Sequence, residues 1–336
     1  MFTLQMRVPL LASLLFVAAL AASTESAALA QRTFVASYGL DANPCSVVSP
    51  CRSFATAISN ALPGGEVIVL DSAGYGPVTI TQNVSITAPS GVYAGIFAPG
   101  VFGVTVNGTG VIVALRGLTM NGLGGGVGGI DFKQGQRLDI ENCIISGFGN
   151  AGILLEAPNS YTYISDTTVR YSAPGIEITD GEVTIDRVHI ENNANGGLRI
   201  ETASSAPIIV AVRDSVASQN GQAGFIVTSN ATQTARLLVE RSLATRSTNG
   251  FVAGGQGNST MIIRDSSAVE NIQSGILADS GFSTVVAVVS GSTSSRNGTY
   301  GLEQAASAVL RTLQNNTLEL NTLGAKFGAV TNASLL

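Results

Sequence analysis

One short phrase recurs from Gly129 to Phe327: a glycine, a bulky apolar residue, a variable residue and an apolar residue. It reads Gly129-Ile130-Asp131-Phe132, Gly152-Ile153-Leu154-Leu155, Gly175-Ile176-Glu177-Ile178 and Gly197-Leu198-Arg199-Ile200. It continues as Gly224-Phe225-Ile226-Val227, Gly250-Phe251-Val252-Ala253, Gly275-Ile276-Leu277-Ala278 and Gly301-Leu302-Glu303-Gln304, and closes on a degenerate Gly324-Ala325-Lys326-Phe327. Consecutive glycines are 23, 23, 22, 27, 26, 25, 26 and 23 residues apart. Units this short cannot bury an apolar face alone, so they must stack on their neighbours as a solenoid. The alternation has period two, so the phrase is a strand with alternate residues inward. A second strand follows in each repeat, as in Leu138-Asp139-Ile140, Val183-Thr184-Ile185 and Val286-Ala287-Val288, with turn residues between. The leucine-asparagine consensus of leucine-rich repeats is absent. Two or three short strands per coil of roughly 22–27 residues predict an all-β chain folded as one parallel β-helix.

The first thirty residues read as an export signal that is cleaved. Arg7 supplies the positive start, Val8 to Leu20 is an apolar run too short for a membrane span, and Ala28-Leu29-Ala30 gives a small-x-small cleavage pattern. No later run is apolar and long enough to span a bilayer. Residues 31–336 then form a single domain, because the repeat is unbroken and no linker interrupts it. The chain has 39 glycines, no tryptophan and 12% charged residues, which suits tight turns around a narrow core. A formal net charge of −5 argues against nucleic acid, whose phosphates need a basic patch. It argues equally against a polyanionic ligand with no bridging cation.

Residues 31–65 differ from the repeats and read as an N-terminal cap. Cys45 and Cys51 flank a stretch containing Pro50 and preceded by Pro44, an exposed loop in which an oxidising compartment favours a disulfide. Cys143 occupies a position held by Thr167, Ser215, Ser242 and Ser266 in other repeats, so it reads as a small inward residue left free. The one helix expected is Ser53 to Ala61, with Phe54, Ala57, Ile58 and Ala61 on one face and Pro63-Gly64-Gly65 as its stop. Strands are expected at Glu66–Leu70, Val78–Thr81, Val84–Thr87, Val104–Val106 and Val111–Leu115.

These N-terminal features carry a resemblance. Thr33-Phe34-Val35, the loop from Asn43-Pro44-Cys45 to Pro50-Cys51, Phe54 with Ala57-Ile58, Gly64-Gly65-Glu66-Val67-Ile68-Val69-Leu70-Asp71 and Tyr75-Gly76-Pro77-Val78-Thr79-Ile80 resemble the start of secreted bacterial right-handed β-helix proteins of the pectin-lyase-like superfamily. The repeats from Gly129 resemble that superfamily's β-helix region. The resemblance implies a single right-handed parallel β-helix with a short N-terminal capping helix, exported to the periplasm, cell surface or medium. For activity it implies little, since the superfamily spans pectate lyases, polygalacturonases, pectin esterases, epimerases and phage tailspikes.

Stacking the repeats explains most residues as structure. One inward row is Ile130, Ile153, Ile176, Leu198, Phe225, Phe251, Ile276 and Leu302. A second is Phe132, Leu155, Ile178, Ile200, Val227, Ala253 and Ala278. A third is Ile140, Ile164, Ile185, Val212, Val239, Ile263 and Val288. Asn193, Asn220, Asn271 and Asn297 each precede a repeat glycine by four residues, a turn position suited to left-handed asparagine and to a ladder of amides, with Tyr171 and Arg246 as interruptions. Two charged rows alternate in sign from coil to coil: Asp186, Arg213, Glu240, Arg264, and Asp166, Arg187, Asp214, Arg241, Asp265. Arg170 has no opposite charge assigned to it in this stacking. His189, the only histidine, shares a position with Ile144, Thr168, Val216, Leu243 and Ser267 and reads as a surface filler.

What remains for chemistry lies on the outward side of the glycine phrase. Asp131, Glu156, Glu177, Arg199 and Glu201 gather on the first four repeats and give way to apolar residues later. In the superfamily's enzymes the substrate groove commonly lies over such a face. Tyr161 and Tyr163 alternate with inward Thr162 and Ile164 and offer a stacking surface for sugar at the flank. The enzyme motifs are missing: no Asn-Thr-Asp, Asp-Asp or His-Gly series as in polygalacturonases, and no aspartate cluster for calcium with a following arginine as in pectate lyases. No metal or cofactor is expected. The chain reads as an exported, non-catalytic protein that contacts polysaccharide or another glycan, or serves a surface or structural role. The alternative is a polysaccharide lyase or glycoside hydrolase with a non-standard carboxylate site.

Overall fold

The computed structural model describes residues 29–202, 206–230, 233–281 and 284–333. The expected export signal therefore lies outside the described residues, apart from Leu29 and Ala30. Among the described residues the chain winds into one parallel solenoid with three sheets, a long one of 13 strands and two of 11. One coil shows the pattern: Ile176–Ile178 in the glycine-phrase sheet, Glu182–Asp186 in the long sheet, His189–Glu191 in a sheet of short strands, then Leu198–Glu201 back in the first. No helix among the described residues is long and apolar enough to cross a membrane.

The glycine phrase sets the register. Ile130 pairs with Ile153, Ile153 with Ile176, Ile176 with Leu198, and Leu198 with Phe225, Phe251, Ile276 and Leu302 in turn. All of these side chains are buried, as is the second inward row. Like stacks on like: the rings of Phe225 and Phe251 lie 5.2 Å apart and 9° from parallel. The third row holds from Ile140 to Ile263, but its next member is Val289, not Val288. The run Val285-Val286-Ala287-Val288-Val289 has no polar residue to mark its faces, so its period-two phase is not written in the sequence.

The core's N-terminal end is covered by helix α1 (Phe54–Ser59), whose buried face is Phe54, Ala57 and Ile58. Ser53 caps it, accepting a hydrogen bond from the Thr56 N–H at 3.3 Å. Asp41 accepts from the N–H groups of Arg52 and Ser53 at 2.9 Å each and fixes the chain's entry. Ala61, expected as the helix end, already begins the strand Ala61–Val69. Cys45 and Cys51 are bridged. Both are fully buried, whereas Pro44, Val47 and Val48 of the loop are exposed as expected. Cys143 is free and buried, and burial pushes its thiol up to about 12.

Two polar ladders run through the corners. Cys143, Val188, Ser215, Ser242 and Ser266 donate backbone N–H groups to side-chain oxygens one coil on, at Thr167, Ser215, Ser242, Ser266 and Ser292. In the other corner the amide ladder is continuous, because Ser172 and Ser247 take the position in coils whose next turn is one residue shorter. Asn193 Nδ2 donates to Asn220 Oδ1 at 3.0 Å, and Asn271 Nδ2 to Asn297 Oδ1 at 3.0 Å. Left-handed geometry belongs to the residue before each ladder side chain: Tyr171, Asn192, Gln219, Arg246, Glu270 and Arg296, with φ between 53° and 59°. Tyr171 and Arg246 are thus bend residues beside the ladder, not gaps in it.

The charged rows stack as read. Asp186 pairs with Arg213, Arg213 with Glu240, and Glu240 with Arg264. Glu240 lies 3.9 Å from Arg213 and 3.7 Å from Arg264. The second row sits at left-handed bends, with φ of 46–52° at Asp166, Arg187, Asp214, Arg241 and Asp265. There Arg187 holds Asp166 at 2.8 Å and Arg241 holds Asp214 at 2.8 Å, and each arginine draws its carboxylate below the usual range. Arg170 does have a partner, Glu191 at 3.7 Å, reached along the short-strand sheet.

Two outcomes follow. Thiol counting under denaturing, non-reducing conditions should find one free thiol per chain, and three would contradict the bridge. Arg213→Glu sets like charges against Asp186 and Glu240, so it should lower the Tm at low salt more than Arg236→Glu, whose cross-strand neighbours Ile209 and Thr260 are uncharged. The gap should close in high salt; equal shifts at low salt would refute the charge ladder's role.

Candidate functional site

The outward row of the glycine-phrase sheet begins before the glycine phrase does. It runs Thr79, Thr105, Asp131, Leu154, Glu177 and Arg199, then turns apolar at Ile226, Val252 and Leu277. Adjacent members are neighbours across parallel strands, about 4.8 Å apart. Asp131 and Glu177 are therefore two rungs apart with Leu154 between them.

Asp131 is the exception on this face. It points away from the core yet is 0% exposed, and neither carboxylate oxygen has a hydrogen-bond partner. Lys133 Nζ lies 3.3 Å from its Oδ2 and 3.8 Å from Glu156 Oε1, so one ammonium is shared by two carboxylates. Burial, with the neighbouring Glu156 carboxylate, pushes the Asp131 carboxyl up to about 6, and Lys133 only partly offsets this. Glu177 is half-buried, and its carboxyl is also raised, first by burial. Arg199, its neighbour across the strands, turns instead to Glu201: Nη2 donates to Oε2. Among the described residues, Glu177 has no ion pair within 4.0 Å.

Asp131 also lines a groove of about 480 Å³ on the first three rungs of this sheet. Thr79, Thr105 and Asp131 make its floor. Pro77, Val101, Phe102 and Val127 wall it, and Lys133 closes one side. Gly128 permits the wall: a Cβ there would lie 2.2 Å from the Phe102 ring. Val101 and Val127 remain exposed, so the rim is apolar.

The structure thus brings Asp131 and Glu156 together through Lys133, and sets Arg199 with Glu201. Tyr161 and Tyr163 belong to the long sheet, around the corner from the carboxylates. Tyr161 is occupied there: its hydroxyl meets Thr184 Oγ1 at 3.2 Å and the Arg137 guanidinium sits 5.4 Å over its ring. His189 is exposed on the short-strand sheet, between Thr168 and Val216. Sequence reasoning missed Thr79, Thr105 and the apolar walls. The signal was present in Gly103-Val104-Thr105-Val106, a complete glycine phrase one coil before Gly129, and in Val78-Thr79-Ile80, which alternates in the same way but follows Pro77 instead of a glycine.

Residues 67–236 and 175–334 match the family described as the right handed beta helix region. The chain belongs to this family. No curated protein matches it by sequence. Among solved structures it is similar to a polygalacturonase from Erwinia carotovora ssp. carotovora, at 11% identity and a TM-score of 0.58 over 82% of this chain and 92% of that one. It is similar to pectate lyase Pel9A, at 16% identity and a TM-score of 0.51 over 87% and 80%. The complex of XylC with xylose gives 10% identity and a TM-score of 0.58 over 81% and 69%. At these identities the likeness shows the β-helix fold and not an activity.

The buried carboxyl makes this β-helix pH-sensitive. In the fold Asp131 holds its proton more tightly than an unfolded chain does, so stability falls as pH rises from 3.8 through about 6. Above that window the charged form costs on the order of 3 kcal/mol. Asp131→Asn should therefore melt above the wild type at pH 8 and level with it at pH 4. A lower Tm for the variant at pH 8 would show that Lys133 more than offsets burial.

Proposed function

We propose that this β-helix is exported and contacts carbohydrate without transforming it, along the outward glycine-phrase face from Thr79 to Glu201. One observation carries the reading: a buried carboxylate with no hydrogen-bond partner lines an open groove on that face. Such a group is costly unless a partner supplies donors, and sugar hydroxyls are donors. The row's spacing presents a side chain every 4.8 Å or so along the solenoid, which suits a chain of repeating units. Proteins of the same fold include a polygalacturonase, a pectate lyase and a periplasmic alginate epimerase, names that all refer to polysaccharides. The Cys45–Cys51 bridge supports an oxidising location.

Geometry favours contact over catalysis. General acid-base work needs a positioned pair. The two carboxyls with raised proton affinity, Asp131 and Glu177, stand two rungs apart, about 10 Å between backbones. That is wider than the carboxyl separation of about 5–5.5 Å in retaining glycosidases and near the upper end of the range of about 6.5–9.5 Å in inverting ones. Leu154 fills the row between them, and Arg199 is committed to Glu201.

A glycan array with the mature protein tests the contact, and a reducing-sugar or unsaturated-uronate assay on its hits tests the absence of turnover. Replacing Glu177 and Arg199 together with alanine should leave the Tm within a few degrees of wild type, since both side chains point away from the core. The same change should lower array binding at least about tenfold. Wild-type binding by the folded double variant would move the contact off this face.

A further inference from the structure

We infer that the Asp131 groove is a subsite for an uncharged sugar unit, two hydroxyls of which donate to the Asp131 carboxylate, and that it rejects uronates. This rests on the glycan-contact reading and names the class of glycan. Neither Asp131 oxygen makes a hydrogen bond or has open surface, and the one cation beside them is the exposed Lys133, with Nζ 3.3 Å from Oδ2, so the sugar hydroxyls reach the carboxylate as the Lys133 side chain turns aside. A neighbouring pair of hydroxyls presents two donors side by side, and a carboxylate accepts them on its two oxygens. Thr79 and Thr105 continue the floor with hydroxyls that both donate and accept. Phe102, Val101 and Val127 offer the apolar wall that the C–H face of a pyranose ring packs against.

Charge decides the class. Among the described residues, Asp131, Glu156, Glu177 and Glu201 are answered on the first rungs of this face by Lys133 and Arg199, and both cations already serve these carboxylates. A uronate carboxylate entering the groove would meet a surplus of negative charge and find no unengaged cation. A small cation is also a poor occupant. Asp131 is the one carboxylate lining the groove, and Lys133 already stands against its Oδ2.

The test is titration of the mature protein at pH 7.5 and low salt with two sets of oligosaccharides of matched length. One set is neutral (cello-, xylo-, manno- and malto-oligosaccharides); the other is oligogalacturonate and oligoalginate. At least one neutral series should bind, with both uronate series at least about tenfold weaker and the gap narrowing as salt rises. Asp131→Asn keeps the shape but replaces one acceptor with a donor, so it should weaken neutral binding at least about tenfold while melting at or above the wild type. Uronate binding equal to or tighter than neutral binding would overturn the assignment of class and leave the glycan-contact reading standing. Undiminished neutral binding by Asp131→Asn would remove the subsite from this groove. Failure of both sets to bind would sink the glycan-contact reading itself, and this inference with it.

Discussion

Every feature of this molecule depends on in-register parallel stacking. A coil of about two dozen residues has no inside of its own, so each inward side chain is buried by its counterparts one rung above and below. Ile153 is covered by Ile130 and Ile176, and Phe225 by Leu198 and Phe251. A slip of one residue in any strand would turn its apolar set to water. The register must therefore be specified many times over, and the corners do this. Backbone N–H groups that the sharp bends leave without a strand partner are met by Ser, Thr or Asn oxygens of the next coil. The alternating charges add a pattern that is satisfied in one register only.

Those corners explain how charged residues come to hold left-handed backbone. Asp166, Arg187, Asp214, Arg241 and Asp265 each adopt a conformation that costs a non-glycine residue about 1–2 kcal/mol. The bend itself is what lets three sheets close around a narrow core, so the geometry is not optional. The ion pairs Arg187–Asp166 and Arg241–Asp214, each between adjacent coils, offset part of that cost while reinforcing the stack.

The fold was legible because a solenoid writes its structure repeatedly. Nine glycine phrases locate the same strand nine times, and the inward rows follow by counting. Legibility failed where repetition or contrast failed. Val288 and Val289 are both apolar, so nothing local says which is inside. Ser172 and Ser247 stand one residue off the asparagine spacing, so the ladder looked broken where a turn had only shortened. The site was half legible. The alternation that marked Asp131, Glu177 and Arg199 as outward is a local property, whereas the burial of Asp131 depends on Lys133 and on the sheet's neighbouring rungs. The groove walls come from Pro77, Val101 and Val127, which precede strands in three successive coils and share no sequence signature. Tyr161 and Tyr163 were near the carboxylates in sequence, but a corner lies between them, and a corner changes the sheet.

Consistency elsewhere is what gives Asp131 its weight. Among the described residues, the buried side-chain polar atoms without a hydrogen bond are its two oxygens and Arg170 Nε. Arg170 has compensation at hand, with its guanidinium 5.8 Å from the Tyr171 ring and Nη1 3.7 Å from Glu191. Asp131 has one shared ammonium and an open groove. Its outward neighbours show that the position tolerates threonine on one side and leucine on the other, so the stack does not require a carboxylate there. A chain that satisfies its corners rung after rung departs from local consistency here, and functional sites are where such departures are expected. A group that lowers the stability of the empty protein while facing a groove is accounted for by what enters the groove.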